Sequence, residues 1–309
     1  NQKRKVYKYV EVIISMVIIS KKIIGKEKYF YLEHSFRKDG KVKKKQIYLG
    51  KEIPKNIEDI KKSFMFDIYR EEWFNLFKKI KENYSKEMKH LPFSAKEKEI
   101  ESFMIKFTYN TQRIEGSKLT LKDTANLLEK GISPGEKPVR DIKEAENHKK
   151  VFYEMLNYKN NLSMQIILYW HKLLFQETKE SLAGRTRNHQ VMISRSKFIP
   201  PMPAELDFLI KDFFNWYNKN KNKINPVELA ALVHLKFVTI HPFGDGNGRI
   251  SRIMMNFVLN KHGFPMFDIP YLNRNSYYNA LERAQVKKDE LIFLQWFFRR
   301  YAQENKRFL

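Results

Sequence analysis

The chain has no cysteine. That excludes disulfides, thiol catalysis and cysteine-ligated zinc or iron–sulfur sites, and it removes any direct mark of an oxidising compartment. Negative charge is also short: 35 Asp+Glu stand against 59 Lys+Arg, a formal net charge of +24 over 309 residues. Such a surplus attracts nucleotides, nucleic acid or acidic protein surfaces without choosing among them. Heavy use of Lys, Ile and Asn also follows from an AT-rich genome. Long apolar runs are missing as well. The longest, Val10 to Ile19, holds Glu11 and Ser15 and falls well short of the roughly 20 residues a bilayer requires. A basic start before a short apolar stretch is a feature of secretory signals, yet no small-residue cleavage site follows. The run reads as a buried strand of a cytoplasmic protein without a membrane segment. Met16 reads as a natural start, with residues 1–15 an extension before it.

What is present is enough for a sizeable core: 42% of residues are hydrophobic and 14% aromatic. The first sixty residues are β-rich in texture, with Ile23-Ile24, Lys28 to Glu33 and Val42 to Leu49 as strands. Asp39-Gly40 marks a hairpin turn between the last two. Residues 1–62 carry 18 Lys+Arg and 7 Asp+Glu. A lysine-edged sheet that guards its own edges accounts for this, and a nucleic-acid or partner-docking module is the sharper alternative. From Ile60 the apolar period turns helical. The spacing predicts helices near 60–92, 95–115, 121–130, 139–158, 163–177, 203–219, 225–239, 248–261, 276–285 and 289–303. Between them, Asn188 to Pro201 reads as two short β-runs about a turn. The expected divisions are residues 1–60, a small basic β module; 61–130, a helical segment; and 131–309, a helical core.

Residues 241–252 read HPFGDGNGRISR. Gly244, Gly246 and Gly248 free the backbone of this loop, and an apolar-periodic helix begins at once behind it. A glycine-rich loop feeding a helix N-terminus aims N–H groups and a positive dipole end at one point, which suits a phosphate. Arg249 and Arg252 project from one face of the first turn. Two cations there are unfavourable unless an anion joins them. Asp245 is a candidate Mg²⁺ ligand beside a phosphate-bearing molecule, and His241 is the nearby group that takes a proton near neutral pH. Singly, each residue has a structural explanation; together they describe a phosphoryl-type transfer site. The loop lacks the lysine of GxxxxGK[ST] and does not fit GxGxxG.

The stretch resembles the signature of the Fic family, HxFx(D/E)GNGRxxR, at every specified position. Ala183 to Arg187, Gln190 to Ile193 and Ile199 to Pro201 resemble that family's flap hairpin and its approach, and Gly263 to Pro265 with Tyr277-Tyr278 resemble features downstream. The resemblance covers about residues 100–300. It implies a mainly α fold: an all-helical Fic core with a flap β-hairpin, here joined to the small basic N-terminal β module. It implies transfer of AMP from ATP, with Mg²⁺, to a Ser, Thr or Tyr hydroxyl of a protein, which could be the chain itself. His241 would be the general base and Asp245 the metal ligand. Asn247, the backbone of Gly246 and Gly248, and Arg249 would cradle the α- and β-phosphates, and Arg252 the γ-phosphate. Val191, Met192 and Ile193 would dock an extended target segment by strand addition. Tyr278 and Gln285 fall where adenine contacts lie. Gly248 stands where phosphorylating relatives carry lysine.

Upstream, Thr111 to Gly116 (TQRIEG), followed by Ser117, Leu119 and Thr120, resembles the family's inhibitory motif [S/T]xxxE[G/N]. Glu115 would then pair with Arg252 and displace the γ-phosphate. Other readings stay open: an enzyme that removes AMP, use of UTP or GTP, a phosphorylating relative, and a nucleic-acid-binding regulator acting through the basic β module. A homodimer is also left open.

Overall fold

The computed structural model describes residues 17–38, 41–194 and 196–309. Residues 1–15, the first part of the Val10–Ile19 run and the Asp39-Gly40 turn therefore lie outside the described residues. The chain divides into two compact units, one ending at Asn75 and the other running from Leu76 to Leu309.

The first unit holds three antiparallel strands in the order β1 (Ile18–Ile24), β2 (Glu27–Lys38) and β3 (Lys41–Gly50). Ile19 pairs with Leu32, which in turn pairs with Ile47. The two-residue side-chain period of a strand therefore places Lys28, Phe30, Leu32, His34 and Phe36 on one face of β2. Leu32 closes a small core with Phe64, Met65 and Ile68, from the N-terminal part of α1 (Ile57–His90). His34 Nε2 and Tyr69 Oη meet at 3.2 Å in the same unit. Of the Val10–Ile19 run, the described Val17 and Ile19 pack partly buried against this core, while Ile18 between them is exposed.

Ten α-helices occur among the described residues. After α1 come α2 (Phe93–Ile114), α3 (Leu121–Lys130), α4 (Val139–Asn157), α5 (Met164–Phe175), α6 (Leu206–Asn220), α7 (Pro226–Ile240), α8 (Asn247–Lys261), α9 (Arg274–Lys287) and α10 (Glu290–Glu304). Local chemistry sets many of these ends. Thr120 forms a capping box with Asp123, and Gly131 takes the left-handed conformation that stops α3. Ser163, Asn225 and Asp289 each cap a helix through the side-chain oxygen. Pro226 occupies the first turn of α7, where its missing N–H has no intrahelical acceptor to lose.

The core of the second unit is built on α7 and α8. Val227, Leu229 to Leu235, Phe237, Val238 and Ile240 on α7 are buried, as are Ile250 and Ile253 to Leu259 on α8. An apolar surface this extensive, at about 25 cal/mol per Å² removed from water, holds two antiparallel helices firmly together. It thereby fixes the loop 241–246 that joins them.

One expectation fails. Among the described residues, 188–201 contain no strand. Pro200 and Pro201 have no N–H to give to a ladder. The two arms are held by side chains instead: Gln190 Nε2 donates to the Pro200 carbonyl at 2.9 Å, and Arg187 donates to the carbonyls of His189 and Pro201 at 3.0 and 2.6 Å.

Candidate active site

His241 ends α7 in the left-handed conformation, φ 53° and ψ 55°, which costs a residue with a Cβ roughly 1–2 kcal/mol. The surroundings impose it. Arg187, almost fully buried, donates from Nε to the His241 carbonyl at 2.8 Å and from its backbone N–H to the Pro242 carbonyl at 2.9 Å. A single arginine thus joins the His241 turn to both arms of the 188–201 segment. The Nδ1 of His241 lies 3.1 Å from the Val238 carbonyl. A carbonyl can only accept, so the hydrogen is on Nδ1 and Nε2 keeps its lone pair. Burial, with Arg187 adding to it, holds the imidazole below its ordinary pKa. The ring is therefore neutral, with a free basic nitrogen, at neutral pH.

The loop behind it is braced by its own side chains. Asn247 receives the Phe243 N–H on Oδ1 at 2.9 Å and returns Nδ2–H to the Phe243 carbonyl at 2.8 Å. Its amide is spent on shaping the loop. Gly246 has φ 82°, and a Cβ there would drive into the Phe175 ring. Beneath lies His171, stacked on Phe243 with centroids 3.9 Å apart. Its Nδ1 accepts from the Gly184 N–H at 3.0 Å, so Nε2 carries the hydrogen and donates to the Asp245 carbonyl at 3.0 Å. Burial pushes its pKa down to about 4.

Asp245 gathers cations. Its Oδ1 accepts from Arg249 Nη2 at 3.0 Å and from the Gly246 N–H at 2.5 Å, and Oδ2 pairs with Lys179. Burial alone would raise this carboxyl, but Arg249 and Lys179 outweigh it and hold it below the usual carboxylate range. Arg249 pairs further with Glu144, donates from Nη1 to Gln112 Oε1 at 3.3 Å, and lies over the Phe175 ring at 4.6 Å. Its Nε has no hydrogen-bond partner.

Arg252 is buried in a different cage. It donates from Nε to Thr111 Oγ1 at 2.5 Å, from Nη1 to Tyr277 Oη at 3.2 Å, and from Nη2 to Glu115 Oε1 at 2.6 Å. Burial works against its charge, yet Tyr277 and Glu115 raise its pKa above the ordinary arginine value. Tyr277 accepts from Arg252, so its hydroxyl hydrogen points to His234 Nε2, 2.9 Å away. Thr111 and Glu115 are one helical turn apart at the end of α2, and together they grip one guanidinium. Gly248 leaves room for the pair. A Cβ there would sit 3.1 Å from Arg252 Nη1 and closer still to the Glu115 carboxylate.

The remaining sequence candidates are placed as follows. Tyr278 donates its hydroxyl to the Ile114 carbonyl at 2.8 Å, and Gln285 donates to Thr239 Oγ1 at 3.2 Å. Met192 is almost wholly exposed, while Val191 and Ile193 are half-buried. Gly244 lies with Leu182 within 3.3 Å of where its Cβ would be. Sequence reasoning gave no role to Glu144, Lys179, His171 or Arg187. Glu144 alone left a signal: it lies on the buried stripe of α4 with Asp141, Ala145, His148, Val151 and Phe152, and a carboxylate on such a stripe requires a cation partner.

The site has a glycine-rich loop between two buried helices, a base at its start and two arginines behind it, the arrangement that the Fic-like signature of residues 241–252 implies. Residues 161–259 match the family model described as Fic/DOC family. It is 34% identical over 180 residues to the protein adenylyltransferase Fic of Drosophila yakuba, covering 57% of this chain and 36% of that protein. To protein adenylyltransferase fic-1 of Caenorhabditis elegans it is 33% identical, over 58% of this chain and 36% of the relative. The chain thus spans about a third of the length of these curated relatives. Among solved structures, a Fic-domain signaling protein from Bacteroides thetaiotaomicron superposes with a TM-score of 0.67 at 27% identity, over 74% of this chain and 94% of that one. A segment of C. elegans Fic-1 superposes with a TM-score of 0.67 at 25% identity, over 79% and 72%. No helix among the described residues is long and apolar enough to cross a membrane.

Proposed function

We propose that this chain is a protein adenylyltransferase restrained by its own α2 helix. It moves AMP from ATP to a Ser, Thr or Tyr hydroxyl of a protein, its own included, in the cytoplasm. Residues 131–309 would carry the transfer chemistry, and the helical segment before them the restraint. The observation that carries the reading is the pair of differently caged arginines behind a neutral histidine with a free Nε2.

In the transfer step His241 Nε2 takes the proton of the target hydroxyl, and that oxygen bonds to the α-phosphorus of ATP. The bond from the α-phosphorus to the bridging oxygen of the β-phosphate breaks, and pyrophosphate leaves. The free N–H groups at the start of α8 and the Arg249 guanidinium receive phosphate oxygens. Because the Asn247 amide is already committed, its part is to hold the loop in shape rather than to touch phosphate. Asp245 would hold Mg²⁺: a carboxylate oxygen is the donor this ion prefers, and the ion takes its other ligands from water and phosphate. When bound, it would neutralise charge on the phosphates. Val191 to Ile193 would present their backbone to the target segment.

Arg252 is the natural partner of the γ-phosphate, and Glu115 occupies it. A charge-assisted hydrogen bond of this kind contributes about 1.5–3 kcal/mol, or roughly ten- to hundredfold in the population free to take ATP productively. The test is transfer of α-³²P label from ATP with Mg²⁺, read as self-modification in wild type, Glu115→Gly and Glu115→Gly/His241→Ala. Label that rises in the first variant and vanishes in the second is expected. Equal labelling of wild type and Glu115→Gly would refute the restraint. If no variant is labelled although ATP binds, the activity is AMP removal or transfer of a different nucleotide.

A further inference from the structure

Asp245 belongs to a ring of alternating charge. Arg249 joins it to Glu144 on one side, and Lys179 joins the same two carboxylates on the other, pairing with Asp245 Oδ2 and reaching Glu144 Oε1 at 3.3 Å. The two sides differ in their access to water. The side chains of Arg249 and Glu144 are 2% and 7% exposed, whereas those of Lys179 and Asp245 are 24% and 35% exposed. Lys179 belongs to the turn after α5, where its N–H donates to the Phe175 carbonyl at 2.8 Å. Its ammonium lies 4.9 Å from the centre of the Phe175 ring. The main chain is thus anchored, while a long, jointed side chain keeps two carboxylates within reach.

The oxygens of Asp245 are not equally engaged. Oδ1 accepts from both Arg249 Nη2 and the Gly246 N–H, which uses its two lone pairs. A divalent ion on this carboxylate would therefore bind through Oδ2, the oxygen that Lys179 holds. Carboxylate oxygens lie about 2.1 Å from magnesium and about 2.8 Å from an ammonium nitrogen. Both cations on one oxygen would stand within about 5 Å of each other, and like charges that close repel strongly in a partly dry site. Glu144 Oε1 is the alternative seat. Besides Lys179 it accepts a 3.4 Å bond from Thr178 Oγ1, while Oε2 carries Arg249. A lysine placed only to neutralise Glu144 would duplicate Arg249 and would not stand closer to Asp245.

On the footing that Asp245 holds the metal of the transfer reaction, we propose that Lys179 is a second restraint, which guards Asp245 as Glu115 guards Arg252. Its ammonium occupies Oδ2 and moves to Glu144 Oε1 when a divalent ion enters with the nucleotide. Lys179 acts through Asp245 and is a positioning residue. Each group that ATP and its metal would meet thus has an internal stand-in for its partner, a carboxylate for the γ-phosphate and an ammonium for the ion.

The test is equilibrium binding of a fluorescent, non-hydrolysable ATP analogue to the full chain, read by anisotropy in Mg²⁺ and in EDTA. Glu115→Gly is the background throughout, so that only the restraint at Asp245 varies. In Mg²⁺, adding Lys179→Gln should tighten binding about tenfold, the lower end for a charge-assisted hydrogen bond because the pair is partly exposed. In EDTA the same change should weaken binding or leave it alone, since a cation near the phosphates is lost. Lys179→Arg keeps a cation on Asp245 and should behave as lysine does. With Asp245→Asn present, Lys179→Gln should no longer tighten binding in Mg²⁺. Thermal melts matching the background establish that each variant folds, and Lys179→Ala serves if Lys179→Gln does not. No tightening in Mg²⁺, or equal tightening in both buffers, overturns the proposal and leaves the transfer reading standing. If Mg²⁺ tightens binding to no variant, the metal role of Asp245 falls, and the proposal falls with it.

Discussion

Arg249 and Arg252 are 2% and 1% exposed, whereas Lys43, Lys44 and Lys45 of β3 all face solvent. The two groups carry the same charge and teach opposite lessons. A guanidinium removed from water is penalised by several kcal/mol unless partners compensate. Each partner in the arginine cages therefore carries information: Glu144, Asp245 and Gln112 around one, Thr111, Glu115 and Tyr277 around the other. An exposed lysine costs nothing to hold. Of the three, only Lys44 has an ion-pair partner among the described residues, Glu33 at 2.6 Å. Net charge counts the two groups alike, and burial separates them.

The largest expected effect is on acid stability. Burial pushes His148 and His234 down to about 3 and His171 to about 4. Their folded pKa values lie below the unfolded value of 6.5, so the unfolded chain binds the extra protons in between. The stability that depends on these rings is complete above pH 6.5 and is lost as pH falls toward about 3. Urea midpoints measured from pH 7.5 to 4 should decline continuously below 6.5; a flat profile would show that these rings are not buried as described.

Next, Glu144→Ala should destabilise the fold by about 3 kcal/mol or more, because it strands Arg249 in the interior. Each of the β3 lysines changed to glutamine should shift stability by no more than about 0.5 kcal/mol. Similar denaturant midpoints for the two sets would break the comparison.

Arg187→Lys keeps the charge but loses the fork that reaches His241, His189 and Pro201 together. In the Glu115→Gly background kcat should fall about tenfold to a hundredfold, since small misplacements of a base carry such penalties, with the KM for ATP unchanged. The smallest change is Gly248→Ala. Its Cβ crowds Glu115 from Arg252, so transfer should rise by up to about tenfold in the wild-type background and not at all when Glu115 is already glycine. An equal effect in both backgrounds would separate Gly248 from the restraint.

Much of this was legible in the order of residues. Helix periods and stop signals located α3 to the residue, because Thr120, Asp123 and Gly131 act on their own neighbourhood. The 241–252 stretch was legible for the same reason: base, glycines and arginines lie within one loop and one turn. The 188–201 segment was misread as a ladder, since its apolar alternation is local but its missing donors and its side-chain ties to Arg187 act across the chain.

The sequence by itself determined the helical class, the basic surplus, the loop's chemistry and the candidacy of Glu115 as the partner of Arg252. Only the tertiary structure decided what each charge meets. Glu144 reaches Arg249 across 105 positions, and Glu115 reaches Arg252 across 137. Lys179 meets Asp245 across 66. Pairings of that range leave no period in a sequence. They exist because packing α7 and α8 removes the arginines from water, after which only carboxylates, hydroxyls and amides brought in by other helices can keep them charged.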